Sequence, residues 1–194
     1  MLGRRKKLLK PIYSKLMNVS PSLYFLLEYG RAAKKLHPVA GQRDKLFDEF
    51  IKSCQDKKCL QIGVKESMGK KFGPNWISVD KYDKREFIDY HYDIHDLKFE
   101  DESFDAAVCW SILEHVPYPQ KAIAELHRVL KPNGKIWVQL PFHYPFHEEP
   151  KDYWRVTPDG LRIWLEDFDE IACGCHFWAK TPTIAATYFY GTKR

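Results

Sequence analysis

A chain of 194 residues, 44% hydrophobic and 29% charged, fits one domain, can bury a core of its own, and has the make-up of an ordinary globular protein. No apolar run reaches the roughly 18 to 20 residues that cross a bilayer, and Lys10, Pro11 and Lys15 break the stretch after the basic start, which argues against a secretory signal. The net charge of +5 hides an asymmetry, because residues 1–45 carry 11 Lys and Arg against Glu28 and Asp44 while the remainder carries 20 basic against 24 acidic residues.

In chain order, Ser20-Pro21 pairs an N-cap with a first-turn proline and opens a predicted helix, SLYFLLEYGRAAKKL, that His37-Pro38 stops. A second predicted helix over Arg43–Cys54 carries Leu46, Phe47, Phe50 and Ile51 at helical spacing. Residues 1–54 are therefore read as a basic helical cap or arm on a body formed by residues 55–194. Five strands are expected in the body: KCLQIG, NWISVD, FIDYHYD, FDAAVCWS and GKIWVQLP. Between the last two, Ala122, Ile123, Leu126, Val129 and Leu130 form one apolar helical face that Pro132-Asn133-Gly134 ends. TPDGLRIWLEDF is a further helix, with Thr157 as N-cap and Pro158 in the first turn. DEIACGCHF and AATYFYGTK close the chain as strands. Strands alternating with helices predict an α/β fold around a mostly parallel sheet. The five cysteines, Cys54, Cys59, Cys109, Cys173 and Cys175, form no C-x-x-C pair and are expected as reduced thiols in the cytoplasm.

Ligands of open α/β sheets sit beyond the carboxyl ends of the strands. Those ends carry Gly63, then Asp80, then Asp93-Ile94-His95-Asp96, then Ser111 with Leu113-Glu114-His115, then Pro141-Phe142-His143. Asp80 follows Gly63 by 17 residues, close to the spacing at which a carboxylate meets a ribose diol. The order of these groups, strand by strand, is more telling than any one of them.

The run DIHDLKFEDESFD, followed by LEHV and ELHRVLKPNG, resembles the middle of a class I S-adenosylmethionine-dependent methyltransferase. The resemblance covers roughly residues 55–192. It implies a Rossmann-like sheet of seven strands whose last strand, AATYFYGTK, is antiparallel and inserted beside GKIWVQLP. It implies S-adenosylmethionine as cofactor, with Gly63 beneath it and Gln61, Val64 and Lys65 in the same loop. Asp80 would meet the ribose, Asp93, Ile94 and His95 the adenine, and Ser111 the methionine end. The opening motif departs from the family pattern of an acid followed by G-x-G-x-G, since Gln61, Lys65 and Ser67 stand at three of those positions. Glu66 is the nearest carboxylate that could replace the missing acid.

Methyl transfer to oxygen needs a group that takes the acceptor's proton. His143, His147 and His115 follow the fourth and fifth expected strands and are the candidates. Tyr153, Trp154 and Arg155 are candidate acceptor contacts, with Arg155 suited to an anionic group. The H-x-x-x-H spacing of His143 and His147 runs through Pro145 and is not helical, so no metal is expected. The expected function is O-methylation of a sugar, glycan precursor or other small polar acceptor. The alternative is a catalytically silent scaffold of the same fold that binds a partner through its arm. A nicotinamide-dependent oxidoreductase is disfavoured by the lack of G-x-G-x-x-G. No nucleic-acid partner is expected, because the basic residues are confined to the arm. That arm suits a peripheral contact with an anionic inner membrane face or an acidic protein.

Overall fold

The computed structural model describes residues 20, 42–63, 71–177 and 183–194. The first predicted helix and the loop residues Val64, Lys65, Glu66 and Ser67 lie outside them. The described elements are α1 (Gln42–Lys52), β1 (Cys59–Ile62), β2 (Trp76–Val79), β3 (Phe104–Trp110), a 3-10 turn (Leu113–His115), α2 (Pro119–Val129), β4 (Leu130–Pro141), α3 (Pro158–Trp164), β5 (Phe168–Phe177) and β6 (Ile184–Lys193). Among the described residues, no helix is long and apolar enough to cross a membrane.

The strands form one sheet in the order β2-β1-β3-β4-β6-β5. The first four run parallel, and β6 is antiparallel to both β4 and β5. The expected insertion of the last strand beside GKIWVQLP is therefore present. Alternation along each strand sends side chains to two faces. Leu60, Ile62, Ala107, Cys109, Ile136, Val138 and Leu140 join Leu126 of α2 and Leu161 of α3 on one face. Cys59, Ala106, Val108, Trp137, Tyr188 and Tyr190 join Phe50 of α1 on the other. Both faces are covered, which is why β1 is buried at every position. On the α1 side the core is aromatic, with Phe47 edge-on to Trp110 at 4.7 Å and to Trp137 at 4.9 Å.

Three expectations are corrected. FIDYHYD forms no strand, only an isolated parallel bridge between Tyr90 and Val79 beside β2, so the described sheet has six strands and not seven. The Asp89 carboxylate accepts from the Ser78 backbone N–H at 2.8 Å, and Ser78 Oγ donates to the Phe87 carbonyl. Side chains thus take up the edge groups that a regular ladder would have used. The helix begun by Thr157 ends at Trp164, four residues short of Phe168, although its Thr157 Oγ1 cap on Gly160 N–H forms as expected. Strand β4 begins at Leu130, before the Pro132-Asn133-Gly134 turn, and Asn133 at φ +60° bends it locally.

The E-L-x-R run has a clear physical task. Glu125 Oε2 accepts from Leu97 N–H, while the Arg128 guanidinium donates to the Leu97 and Phe99 carbonyls and pairs with Glu125 and Asp101. Helix α2 thereby clamps the loop that follows Asp93. Asp105 does the same at the start of β3, accepting from the Lys58 N–H and from Lys131 Nζ.

Candidate active site

The chain turns from β1 to β2 on one side of the sheet and from β3 to β4 on the other. A crevice is expected where those two directions part. A cleft of about 1310 Å³ opens there, and Gly63, Asp80, Asp93, Ile94, His95 and Ser111 all line it. Gly63 sits at φ +71°, and a Cβ there would fall 2.1 Å from Ile112 Cδ1, so this turn requires glycine. Ser111 takes the same left-handed conformation at φ 53°, with its N–H donating to the Gln139 carbonyl.

Asp80 Oδ1 accepts from the Tyr82 and Asp83 N–H groups at 2.8 and 2.9 Å. Among the described residues Oδ2 takes no hydrogen bond, which leaves an acceptor for a ligand hydroxyl. Asp93 is more committed, since Oδ2 accepts from Lys81 Nζ at 2.8 Å and Oδ1 from the His95 N–H at 2.9 Å. Gln61 is buried and does not line the cleft. Its amide donates to the Gly63 carbonyl and accepts from the Phe72 N–H. It bridges residues 63 and 72 on either side of the connection from β1 to β2.

The far end of the cleft is built by the 3-10 turn and by the strap between β4 and α3. His115 and His147 line it with their rings 4.8 Å apart. Tyr153 lines it too, its N–H donating to the Glu114 carbonyl at 2.7 Å. His143 does not line the cleft; its N–H donates to the Ile184 carbonyl at the start of β6. Trp154 and Arg155 also stand outside. Trp154 Nε1 donates to the Val116 carbonyl, and Arg155 forms a two-pronged pair with the buried Asp152 carboxylate. They hold the strap in place. The Arg155 pairing, set against burial, draws Asp152 down to about 2.

Sequence reasoning passed over Glu114 as a site residue. It has no exposed surface and lines the cleft, and burial pushes its carboxyl up to about 8. Neither of its oxygens has a hydrogen-bond partner among the described residues. The L-E-H-V motif contained the signal, an acid set between apolar positions just past a strand. Arg43, Gln139 and His176 also line the cleft, each with a buried, unpartnered side-chain atom. They come from α1, β4 and β5, and no spacing in the sequence links them.

A sheet with this order, a glycine turn at the switch point and acids at the following strand ends define the class I S-adenosylmethionine-dependent methyltransferase fold. The cleft fits that cofactor by its open Asp80 acceptor and by the orphaned polar atoms along its wall. Comparison with known proteins agrees: residues 57–138 match the family model described as a methyltransferase domain. The chain is 48% identical over 104 residues to a demethylmenaquinone methyltransferase of Clavibacter sepedonicus, covering 51% of this chain and 41% of that protein. It is 53% identical over 38 residues to a ubiquinone biosynthesis O-methyltransferase of Pasteurella multocida, covering 20% of this chain and 16% of that protein. The chain thus spans less than half the length of the curated relatives it matches. Among solved structures, the N-methyltransferase NodS of Bradyrhizobium japonicum superposes with a TM-score of 0.57 at 14% identity, covering 78% of this chain and 94% of that one, and so shares the fold. Residues 57–138 are therefore similar to a methyltransferase domain, and the described chain has the fold seen in S-adenosylmethionine-dependent methyltransferases.

Proposed function

We propose that this chain methylates a hydroxyl oxygen of a small planar acceptor of the quinol or phenol type. The observation that carries the reading is the continuity of one cleft from Gly63, Asp80 and Asp93 to the His115 and His147 rings. The names of the two relatives favour a quinone-related acceptor over the sugar or glycan precursor expected from sequence. Tyr82, Tyr118, Tyr144 and Tyr153 along the same cleft suit an aromatic acceptor as well.

S-adenosylmethionine supplies an electrophilic methyl group on a sulfonium. The chain's own work is to bind, align and keep water out. Asp80 Oδ2 is the acceptor for the ribose hydroxyls, and Ile94 and Asp93 face the adenine. Ser111 stands near the methionine end. An oxygen nucleophile must lose its proton, and Glu114, His115 and His147 are the groups at that end able to receive it. Residues 1–45, strongly basic, are proposed to hold the protein against an anionic membrane face.

Calorimetry with S-adenosylhomocysteine tests the cofactor site, and saturable heat is expected. No heat at millimolar ligand removes the enzyme reading and leaves a silent scaffold. Transfer of labelled methyl to a catechol but not to a reducing sugar then decides the acceptor class.

A further inference from the structure

Three side chains that ligate metals meet at the far end of the cleft. One ligand atom from each of Glu114, His115 and His147 lies within 4.8 Å of the other two. His147 therefore finds its companions across the cleft in the 3-10 turn, and not in His143 four residues before it. Both rings are oriented from behind. His115 Nδ1 lies 2.5 Å from the Lys151 carbonyl, which fixes the proton on Nδ1 and leaves the Nε2 lone pair facing inward. His147 Nδ1 lies 3.1 Å from the Pro145 carbonyl and 3.3 Å from Asp152 Oδ2, with the same consequence. A carbonyl or carboxylate behind the outer nitrogen is how proteins hold histidines that bind metals.

With Glu114 ionised, the inward atoms are all acceptors. His115 Nε2 stands 3.8 Å from Glu114 Oε1. Both Glu114 oxygens are buried without a hydrogen bond among the described residues, an arrangement that costs free energy unless a positive centre joins it. A lone proton serves a single acceptor, whereas a cation serves all three.

We propose that Glu114, His115 and His147 bind one divalent transition-metal ion, zinc or a close neighbour, with coordination positions left open toward the cleft. Two imidazoles and one carboxylate suit zinc, cobalt, manganese or iron better than calcium or magnesium. Ligands around a tetrahedral zinc stand roughly 3.4 Å apart. In the methyl-transfer reading, on which this role rests, the ion would take the acceptor oxygen and lower its pKa, so that the proton leaves to solvent water in the open cleft, and the two histidines serve as ligands in place of the base role.

The test uses the full chain stripped with a chelator. Cobalt(II) is titrated in and followed by its visible absorption, zinc by calorimetry, with S-adenosylhomocysteine binding measured on the same samples. One ion per chain is expected, together with a higher melting temperature. Because even the groups behind the ligands are worth about 10- to 100-fold in affinity, H147A and E114Q should each weaken binding by about 100-fold or more, while H143A leaves it unchanged. Circular dichroism checks that the variants fold, and the wild-type response to chelator stands independently of them. No saturable binding to the wild type, or binding that H147A leaves intact, overturns the site. Metal binding without S-adenosylhomocysteine binding keeps the site and removes the methyl-transfer reading instead.

Discussion

At Asp93, burial would raise the carboxyl, yet hydrogen bonds from Lys81 and from the backbone and ring of His95 outweigh it and hold it at about 2, below the ordinary 3.8. A folded-state value below the unfolded one gives stability that is present above about pH 4 and lost as pH falls toward 2. The side chain is 36% exposed, so water screens these bonds and the effect is modest. Asp93→Asn should melt lower than wild type by a constant margin above pH 5, and that margin should shrink as pH falls below about 4. A margin independent of pH would show that the charge does not matter. Residues such as Asp80, Gly63 and Ser111 could be found from sequence because each follows a strand, and strand ends are visible as breaks in apolar runs; Asp93 is reached through FIDYHYD, which forms no strand. Glu114 could not be weighed in the same way. Its burial is completed by Tyr153 and the strap, Tyr153 lying 39 residues further along the chain.

Helix α2 shows what an element adds to its sequence signature. E-L-x-R-V-L-K-P-x-G marks a helix and a turn, but only the fold shows Glu125 and Arg128 reaching back to residues 97–101. The clamp fixes the loop that follows Asp93 and Ile94, so it couples helix α2 to the wall of the cleft. Charged hydrogen bonds contribute about 1.5 to 3 kcal/mol each when buried and less when half-exposed as here. Arg128→Ala is expected to cost about 2 kcal/mol, read as a shifted denaturation midpoint at unchanged slope. Amide exchange over residues 94–101 should quicken more than exchange in β1 or β3. Uniform quickening would mean that Arg128 supports the whole fold and not this loop. The failed strand FIDYHYD belongs to the same scale. Its alternation is genuine, but Asp89 and Ser78 side chains compete for the edge hydrogen bonds, and composition alone does not show which partner wins.

The molecule as a whole is two aromatic and aliphatic layers separated by one sheet, with the cleft over its strand ends. That division was readable in advance because β1, β3 and β4 are apolar on both faces, which only a doubly covered sheet explains. The part that was not readable is how α1 seals the second face, since its Phe47 and Phe50 meet Trp110, Trp137 and Tyr190 from distant segments. Among the described residues the two layers form separate clusters of buried side chains on either side of the sheet. Phe50 and Leu126, both fully buried, lie in different layers. Truncating either leaves a cavity on its own face, at a cost of about 3 to 5 kcal/mol for Phe50→Ala and about 2 to 5 kcal/mol for Leu126→Ala. Well-separated sites add within about 0.5 kcal/mol, whereas sites in one packed cluster do not. The double variant should therefore lose the sum of the two single losses, measured by urea unfolding with each single variant as reference. A shortfall well beyond that margin would mean that strain passes through the sheet. The aromatic layer would then influence the strand ends that shape the cleft, and α1 would act on the site through its packing as well as through Arg43.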